Sequence, residues 1–187
     1  MNADRILIVP GWRNSEPGHW QSLWADRLPN TQRVAQGDWL FPRRQDWVDR
    51  LADEILSSRG ERLVLVAHSL GCMAVAHLPP EAAARVSAAL LVAPADPERR
   101  AQLADFAPVP YQRLPYRSIL VASSNDPYCP VRLAGAYARA WGSEFVRLEN
   151  GGHINVVAGF GEWPLGLQLL AQLGVDIDPG ELLRRAA

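Results

Sequence analysis

Short apolar runs recur along the chain, and the stretches between them carry apolar residues at helical spacing. This alternation predicts an α/β fold, in which a mostly parallel sheet of about six strands has helices on both faces. Strands covered on both faces are almost wholly apolar, whereas edge strands are mixed. The apolar runs are 6–9, 63–67, 89–93 and 119–122, and the mixed runs are 31–35 and 144–148.

Right-handed crossovers between these strands predict the spatial order 2-1-3-4-5-6. Strands 1 and 3 are then neighbours where the strand order reverses, which is where open α/β sheets bind ligands. We therefore expect a crevice between the loop after the first strand and the turn after the third. Helices are predicted over 19–28, 45–58, 70–77, 131–141 and 164–173.

Two further segments carry weaker expectations. In the second predicted helix Trp47, Leu51, Ile55 and Leu56 recur at near-helical spacing, which predicts a stripe facing the core. Segment 98–115 is marked by prolines and has little pattern, so a short helix and an irregular loop passing near the crevice are expected there.

The candidate nucleophile is Ser69. It lies in A-H-S-L-G, residues 67–71, between an apolar strand and the small-residue stretch 72–76. A serine on a sharp strand-to-helix turn is held in a strained conformation with its hydroxyl exposed, and it needs small residues two positions before and after it. Gly71 meets this requirement, and Ala67 adds one methyl group where glycine is usual.

A nucleophilic serine on a strand–turn–helix of this kind uses a histidine as base, and the chain order is serine, acid, histidine. Only His77 and His153 follow Ser69. His77 belongs to the helix that the serine begins, and about 12 Å of helical rise separates the two residues. His153 follows the turn Asn150-Gly151-Gly152, from which a loop can return over the sheet edge, so His153 is the predicted base.

Two acids can orient this histidine. Asp126 follows the strand at 119–122 in S-N-D-P-Y, and Asp96 follows the strand at 89–93 in P-A-D-P. Each precedes a proline, so either could instead be an ordinary turn residue. Asp126 is preferred because it ends the strand next to the one that precedes His153, and Asp96 is the alternative.

The oxyanion of a tetrahedral intermediate needs two backbone N–H donors, one from the residue after the nucleophile and one from an early strand–helix loop. Leu70 supplies the first. The first strand breaks at P-G-W-R-N-S, residues 10–15, and the amide of Trp12 is the best candidate for the second.

Composition excludes several classes of protein. The chain of 187 residues has no repeat or linker and is expected to form one domain, 1–187, with a formal net charge of −1. It contains no lysine, which excludes a Schiff-base lysine, a Walker-type phosphate loop and a serine–lysine dyad within it. The near-neutral charge gives no reason to expect nucleic acid binding. The arginine pairs 43–44, 99–100 and 184–185 are predicted to be solvated.

The cysteines and histidines show no metal-ligand spacing, so neither a metal nor a cofactor is expected. Cys72 is interpreted as helix packing, and Cys129 is expected near the acid loop, where it could make the activity sensitive to thiol reagents. Four of the seven tryptophans, Trp12, Trp20, Trp24 and Trp39, lie in the amino-terminal part, where one or two could line a substrate pocket. The amino-terminal apolar run is too short for a signal peptide and no membrane span is recognisable, so a cytoplasmic location is expected.

Several separated motifs together resemble the small single-domain α/β-hydrolases of the family that includes the retinoblastoma-binding serine hydrolase and bacterial esterase-like proteins. They are P-G-W-x-N-S at 10–15, H-W-Q at 19–21, A-H-S-L-G at 67–71, S-N-D-P-Y at 124–128, G-H-I-N at 152–155 and E-W-P at 162–164. The resemblance covers nearly the whole chain. It implies a hydrolase without a large lid domain, with Ser69, Asp126 and His153 in the positions of a catalytic triad.

The predicted function is that of a serine hydrolase that cleaves a small ester, thioester or amide through an acyl-enzyme. Its expected partner is a small acyl substrate. Transfer of the acyl group to an acceptor other than water would use the same residues and stays open. A ligand- or protein-binding module on a hydrolase scaffold is the alternative from another class. A protein that only binds a ligand does not require a serine, an acid and a histidine in the positions of a catalytic triad.

Overall fold

The computed structural model describes residues 4–58, 60, 62–178 and 180. They form a six-stranded sheet in which every neighbouring pair is parallel. Its order, β2-β1-β3-β4-β5-β6, confirms the order predicted from the crossovers. The strands are β1 (Asp4–Val9), β2 (Thr31–Arg33), β3 (Arg62–His68), β4 (Val86–Val92), β5 (Arg117–Ser123) and β6 (Glu144–Leu148).

The five predicted helices are confirmed to within one residue at each end, and one further helix was not predicted. The helices are α1 (Trp20–Arg27), α2 (Arg44–Ser57), α3 (Leu70–Ala76), α4 (Pro80–Ala83), α5 (Val131–Trp141) and α6 (Pro164–Gln172). The short helix α4 has too few residues to produce a recognisable period. Segment 98–115 contains the 3₁₀ helix Ala101–Phe106, preceded by another at Pro97–Arg99, and then runs irregularly to β5.

Alternate residues of the strands enter two cores, one on each face of the sheet. Leu7 of β1 packs in the core that contains α2, α3 and α5, whereas Ile8 packs in the core that contains α1 and α6. The stripe predicted for α2 is correct for Trp47, Leu51 and Ile55, which are buried, and wrong for Leu56, which is 43% exposed. Successive helical residues point about 100° apart, so the neighbour of a fully buried residue lies at the margin of the stripe. The mixed strands β2 and β6 are the edges of the sheet, as predicted.

The loop after β1 and the turn after β3 contact each other closely because of two glycines. A Cβ on Gly71 would lie 2.3 Å from the carbonyl oxygen of Val9, and one on Gly11 would lie 2.7 Å from the Cβ of Ser69. Any side chain at either position would push these two segments apart. The glycines therefore bring the two sides of the predicted crevice together at the carboxyl edge of the sheet.

Candidate active site

Ser69 occupies the turn between β3 and α3 with φ 54° and ψ −118°, a conformation that few residues other than glycine adopt. Its backbone N–H donates to the carbonyl of Val92 at 2.9 Å, which anchors the turn to the neighbouring strand. Its side chain makes no capping bond to α3. The strained turn therefore leaves the hydroxyl free to interact with groups at the sheet edge.

The imidazole of His153 reaches this hydroxyl from the loop after β6. Its Nε2 lies 3.0 Å from the Oγ of Ser69, and its Nδ1 lies 2.9 Å and 3.0 Å from the two carboxylate oxygens of Asp126. The side chains of His153 and Asp126 are 10% and 2% exposed. An Nδ1–H that donates to the carboxylate leaves Nε2 as the acceptor for the serine hydroxyl. The structure thus brings the predicted serine, histidine and preferred acid into hydrogen-bonding contact.

The two acids occupy different environments. Besides the histidine, the carboxylate of Asp126 accepts the backbone N–H of Tyr128 at 2.8 Å. Asp96 accepts the N–H of Glu98 and lies 3.4 Å from the guanidinium of Arg99, so it acts as a turn and ion-pair residue. Asp96 also borders the cavity above Ser69, but it is Asp126 that contacts the imidazole.

Asn125 is a site residue that sequence reasoning missed. Its side-chain oxygen accepts the backbone N–H of Gly152 at 2.7 Å, and it also accepts the hydroxyl of Ser123. This bond joins the loop that carries Asp126 to the loop that carries His153. The S-N-D-P-Y motif contains the residue, but its spacing does not indicate which backbone group the amide reaches.

The backbone N–H groups of Trp12 and Leu70 lie at the contact between the two segments. A Cβ on Gly11, the residue before Trp12, would lie 3.4 Å from the nitrogen of Leu70. Among the described residues neither N–H donates a hydrogen bond. Two free donors beside the serine are what a developing oxyanion requires.

A cavity of about 300 Å³ opens above Ser69 and His153. Of the four amino-terminal tryptophans only Trp12 lines it. Trp20 and Trp24 belong to α1 and pack with Trp163 in the core on that face of the sheet. Trp39 packs on Trp47. The lining residues are Trp12, Arg13, Asn14, Glu16, His19, His68, Ser69, Ala95, Asp96, Arg100, Leu103, Tyr128, His153, Asn155 and Val157.

One predicted surface arginine belongs to this cavity. Arg100 is exposed, as expected, and its guanidinium also lies over the rings of Trp12 and Tyr128, at 5.6 Å and 4.7 Å from their centroids. Segment 98–115 therefore passes along the mouth of the site, as expected. The pair at 184–185 lies outside the described residues.

Two further buried histidines lie at the site, where the ring of His68 contacts both His153 and His19. Burial lowers the pKa of His19 to about 4, and burial likewise lowers the pKa of His68 well below its usual value. The rings of His68 and His153 have centroids 4.8 Å apart. Both neighbours are therefore neutral at pH 7 and add no positive charge beside the base.

The remaining histidine and both cysteines lie apart from this chemistry. His77 places its Nδ1 2.8 Å from the carbonyl of Met73 in its own helix, away from Ser69. Cys72 and Cys129 are buried free thiols, and burial raises the pKa of Cys129 to about 12. The reactive thiolate of Cys129 is consequently scarce, which argues against an influence on activity. Within the described ranges, no three histidine, cysteine or acidic residues are grouped so as to hold a metal ion.

The parallel sheet, the serine at a strand–helix turn and the facing histidine and aspartate define the class of the α/β-hydrolases. A family model described as serine hydrolase matches residues 6–172. The chain therefore belongs to the serine hydrolase family, and the resemblance seen in its motifs is confirmed. No helix of the described residues is long and apolar enough to cross a membrane.

Solved structures of similar proteins support this assignment. A YdeN-like hydrolase from Pectobacterium atrosepticum is 34% identical, with a TM-score of 0.82 over 96% of this chain and 92% of that one. The ydeN gene product of B. subtilis is 25% identical, with a TM-score of 0.77 over 91% and 98% of the two chains. Esterase 2 of Thermogutta terrifontis, at 16% identity and a TM-score of 0.67 over 93% and 84%, shares the fold. No curated protein sequence matches the chain.

Proposed function

We propose that this serine hydrolase cleaves a small ester, thioester or amide through a covalent acyl-enzyme formed on Ser69. The observation that carries the proposal is the continuous chain of contacts from the Oγ of Ser69 through His153 to Asp126, at 3.0 Å and 2.9 Å. A serine hydroxyl is a weak nucleophile until a neighbouring base takes its proton. Membership of the serine hydrolase family supports the same chemistry.

In the acylation step the Oγ of Ser69 forms a bond to the substrate carbonyl carbon while its proton passes to the Nε2 of His153. The electron pair of the carbonyl moves to oxygen and gives a tetrahedral oxyanion. Collapse of this intermediate breaks the bond to the leaving group, which takes the proton from His153. Asp126 holds the imidazole in the required tautomer and stabilises the imidazolium.

The N–H groups of Trp12 and Leu70 are proposed to bind the oxyanion. Support comes from their freedom from other acceptors and from the close packing of Gly11 against Leu70 and Ser69. Donors fixed before the reaction stabilise the developing charge without reorganisation, and one such donor contributes about 3–4 kcal/mol elsewhere. In deacylation the same groups act on water, and the acid is released.

The dimensions of the cavity support a small substrate. Its volume of about 300 Å³ is at the lower end of the range for ligand sites. The chain between β4 and β5 forms only short 3₁₀ helices and irregular loop beside the site, which is consistent with the absence of a large lid. We further propose that the whole chain, 1–187, is one domain.

Turnover of 4-nitrophenyl butyrate by purified variants tests this function. We expect Ser69→Ala and His153→Ala to lose several orders of magnitude in kcat/KM, because members of a catalytic triad act as a unit. His77→Ala is the matched control and should retain nearly the wild-type rate, since His77 does not contact Ser69. A folded Ser69→Ala protein with normal turnover would refute the proposal.

A further inference from the structure

Two guanidinium groups gather at one ring at the mouth of the cavity. Arg13 lies over the ring of Trp12 at 4.4 Å from its centroid, and Arg100 lies 5.6 Å from the same centroid. Arg100 is also 4.7 Å from the centroid of the Tyr128 ring. The two positive charges come from loops far apart in the sequence, and the fold places them beside the same indole.

Neither guanidinium has an acidic partner among the described residues. Glu16 and Asp96 line the cavity, and Asp126 lies behind His153. Asp126 is turned towards His153, and Asp96 is paired with Arg99 at 3.4 Å. Glu16 borders the same cavity and forms no ion pair with either arginine.

Some other arginines of the described chain do form ion pairs. Arg99, the neighbour of Arg100, pairs with Asp96, and Arg62 pairs with Asp4 at 3.0 Å. Like charges placed together repel each other unless an anion lies between them. Two guanidinium groups without an acidic partner at the mouth of the cavity that holds Ser69 therefore favour an anionic ligand.

The stacked geometry suits such a ligand. A guanidinium that lies on an aromatic face is fixed in orientation, and its N–H edge stays free for a carboxylate or phosphate. Charge-assisted hydrogen bonds of this kind are about twice as strong as neutral ones. The rings of Trp12 and Tyr128 thus hold the donors, and the cavity below them holds the reacting group.

We propose that the natural substrate is an anionic ester or thioester whose carboxylate or phosphate binds Arg13 and Arg100 while its carbonyl lies at Ser69. This inference rests on the proposed function, since it concerns the same cavity. The anionic group could belong to the acyl chain or to the leaving group. Both arrangements use the same recognition chemistry, and they are separable by experiment.

The test compares carboxylate substrates with their own methyl esters. The acyl arm uses mono(4-nitrophenyl) adipate against 4-nitrophenyl methyl adipate, and the leaving-group arm uses 4-(butanoyloxy)benzoate against its methyl ester. In each arm the ratio of kcat/KM for the anionic to the neutral substrate is measured for the wild type and for Arg13→Gln/Arg100→Gln. Differences in intrinsic reactivity between the two substrates cancel when the ratio for the wild type is compared with the ratio for the double variant.

We expect the double substitution to lower this ratio about tenfold in the arm that matches the natural substrate, and to leave it unchanged in the other arm. Added salt should lower the wild-type ratio as well, because screening weakens exposed charge interactions. Arg50→Gln is the control, since it removes the same charge from an exposed arginine of α2 that does not line the cavity, and it should keep the wild-type ratio.

The outcomes separate the two proposals. If the wild type hydrolyses the neutral esters but neither ratio changes in the double variant, the anionic-substrate proposal is wrong and the hydrolase proposal stands. An equal loss in Arg50→Gln would also overturn it, because the effect would then be one of net charge. If no ester is hydrolysed and 4-nitrophenyl butyrate is not turned over, the proposed function itself fails.

Discussion

The Nε2–H of His68 donates to the backbone carbonyl of His153 at 2.9 Å. This bond connects the residue directly before Ser69 to the histidine whose imidazole contacts the Ser69 hydroxyl. The two partners are separated by 85 positions in the chain. Because His68 ends β3 and is buried, its ring is fixed by the sheet. We infer that His68 is a positioning residue that sets the approach of the imidazole to the serine.

Substitution of His68 tests this inference. His68→Met keeps roughly the volume but leaves the carbonyl of His153 without its donor, and we expect kcat to fall about 10- to 100-fold with little change in KM. His68→Gln can present an N–H near the position of Nε2 and should recover most of the loss. Equal loss in both variants, or a change confined to KM, would contradict the positioning role.

Replacing each candidate acid by asparagine distinguishes the roles of Asp126 and Asp96. Asp126→Asn should favour the wrong tautomer of His153 and lower kcat by on the order of 10⁴. Asp96→Asn should cost far less, because Asp96 contacts Glu98 and Arg99 rather than the imidazole. Steady-state kinetics on the same ester measure both, and the reverse ranking would move the acid role to Asp96.

Gly71 should be nearly irreplaceable, although it lies in a helix. A methyl group there would meet the backbone oxygens of Val9 and Pro10 at 2.3 Å and 2.8 Å, and backbone atoms cannot rotate away. We expect Gly71→Ala to lower the free energy of unfolding by about 2–3 kcal/mol and to reduce activity, as overpacking does. Gly37→Ala is the control, because nothing lies within 4 Å of its added carbon. Urea unfolding measures the difference, and equal stability of the two variants would contradict the close contact.

His19 should make the fold sensitive to acid. Its folded pKa is lowered from 6.5 to about 4, chiefly by burial, so between these values the unfolded chain binds a proton that the folded chain does not. Stability therefore falls as pH drops from about 6.5 to about 4, by up to roughly 3 kcal/mol from this residue. Below about 4 the folded form is protonated too, and this contribution stops changing.

His19→Asn tests the effect without removing the helix cap. The Nδ1 of His19 accepts the N–H of Gln21 at the start of α1, and an asparagine oxygen can accept the same bond. We expect urea unfolding at pH 7 and pH 4.5 to show a smaller loss of stability for the variant than for the wild type. An identical pH dependence would mean that His19 does not contribute.

Apolar runs and helical periodicity were sufficient to predict the strands and the five longer helices, because each strand and helix buries a face that its own residues define. The rule of right-handed crossovers then predicted the strand order. The motif around Ser69 and the order of the later polar residues also pointed to Asp126 and His153. The bonds of His68 and Asn125 were not predictable, since each joins backbone loops whose relative position only the fold determines. The contacts of Arg100 with the rings of Trp12 and Tyr128 were not predictable for the same reason.

Covalent labelling of Ser69 tests the central claim most directly. A fluorophosphonate probe reacts with an activated serine, and peptide mass spectrometry locates the adduct without any assumption about the natural substrate. The account predicts one adduct, on Ser69, which is absent in Ser69→Ala and forms far more slowly in His153→Ala. A folded wild-type protein that hydrolyses esters but carries no adduct on Ser69, or carries it on another residue, would contradict the account.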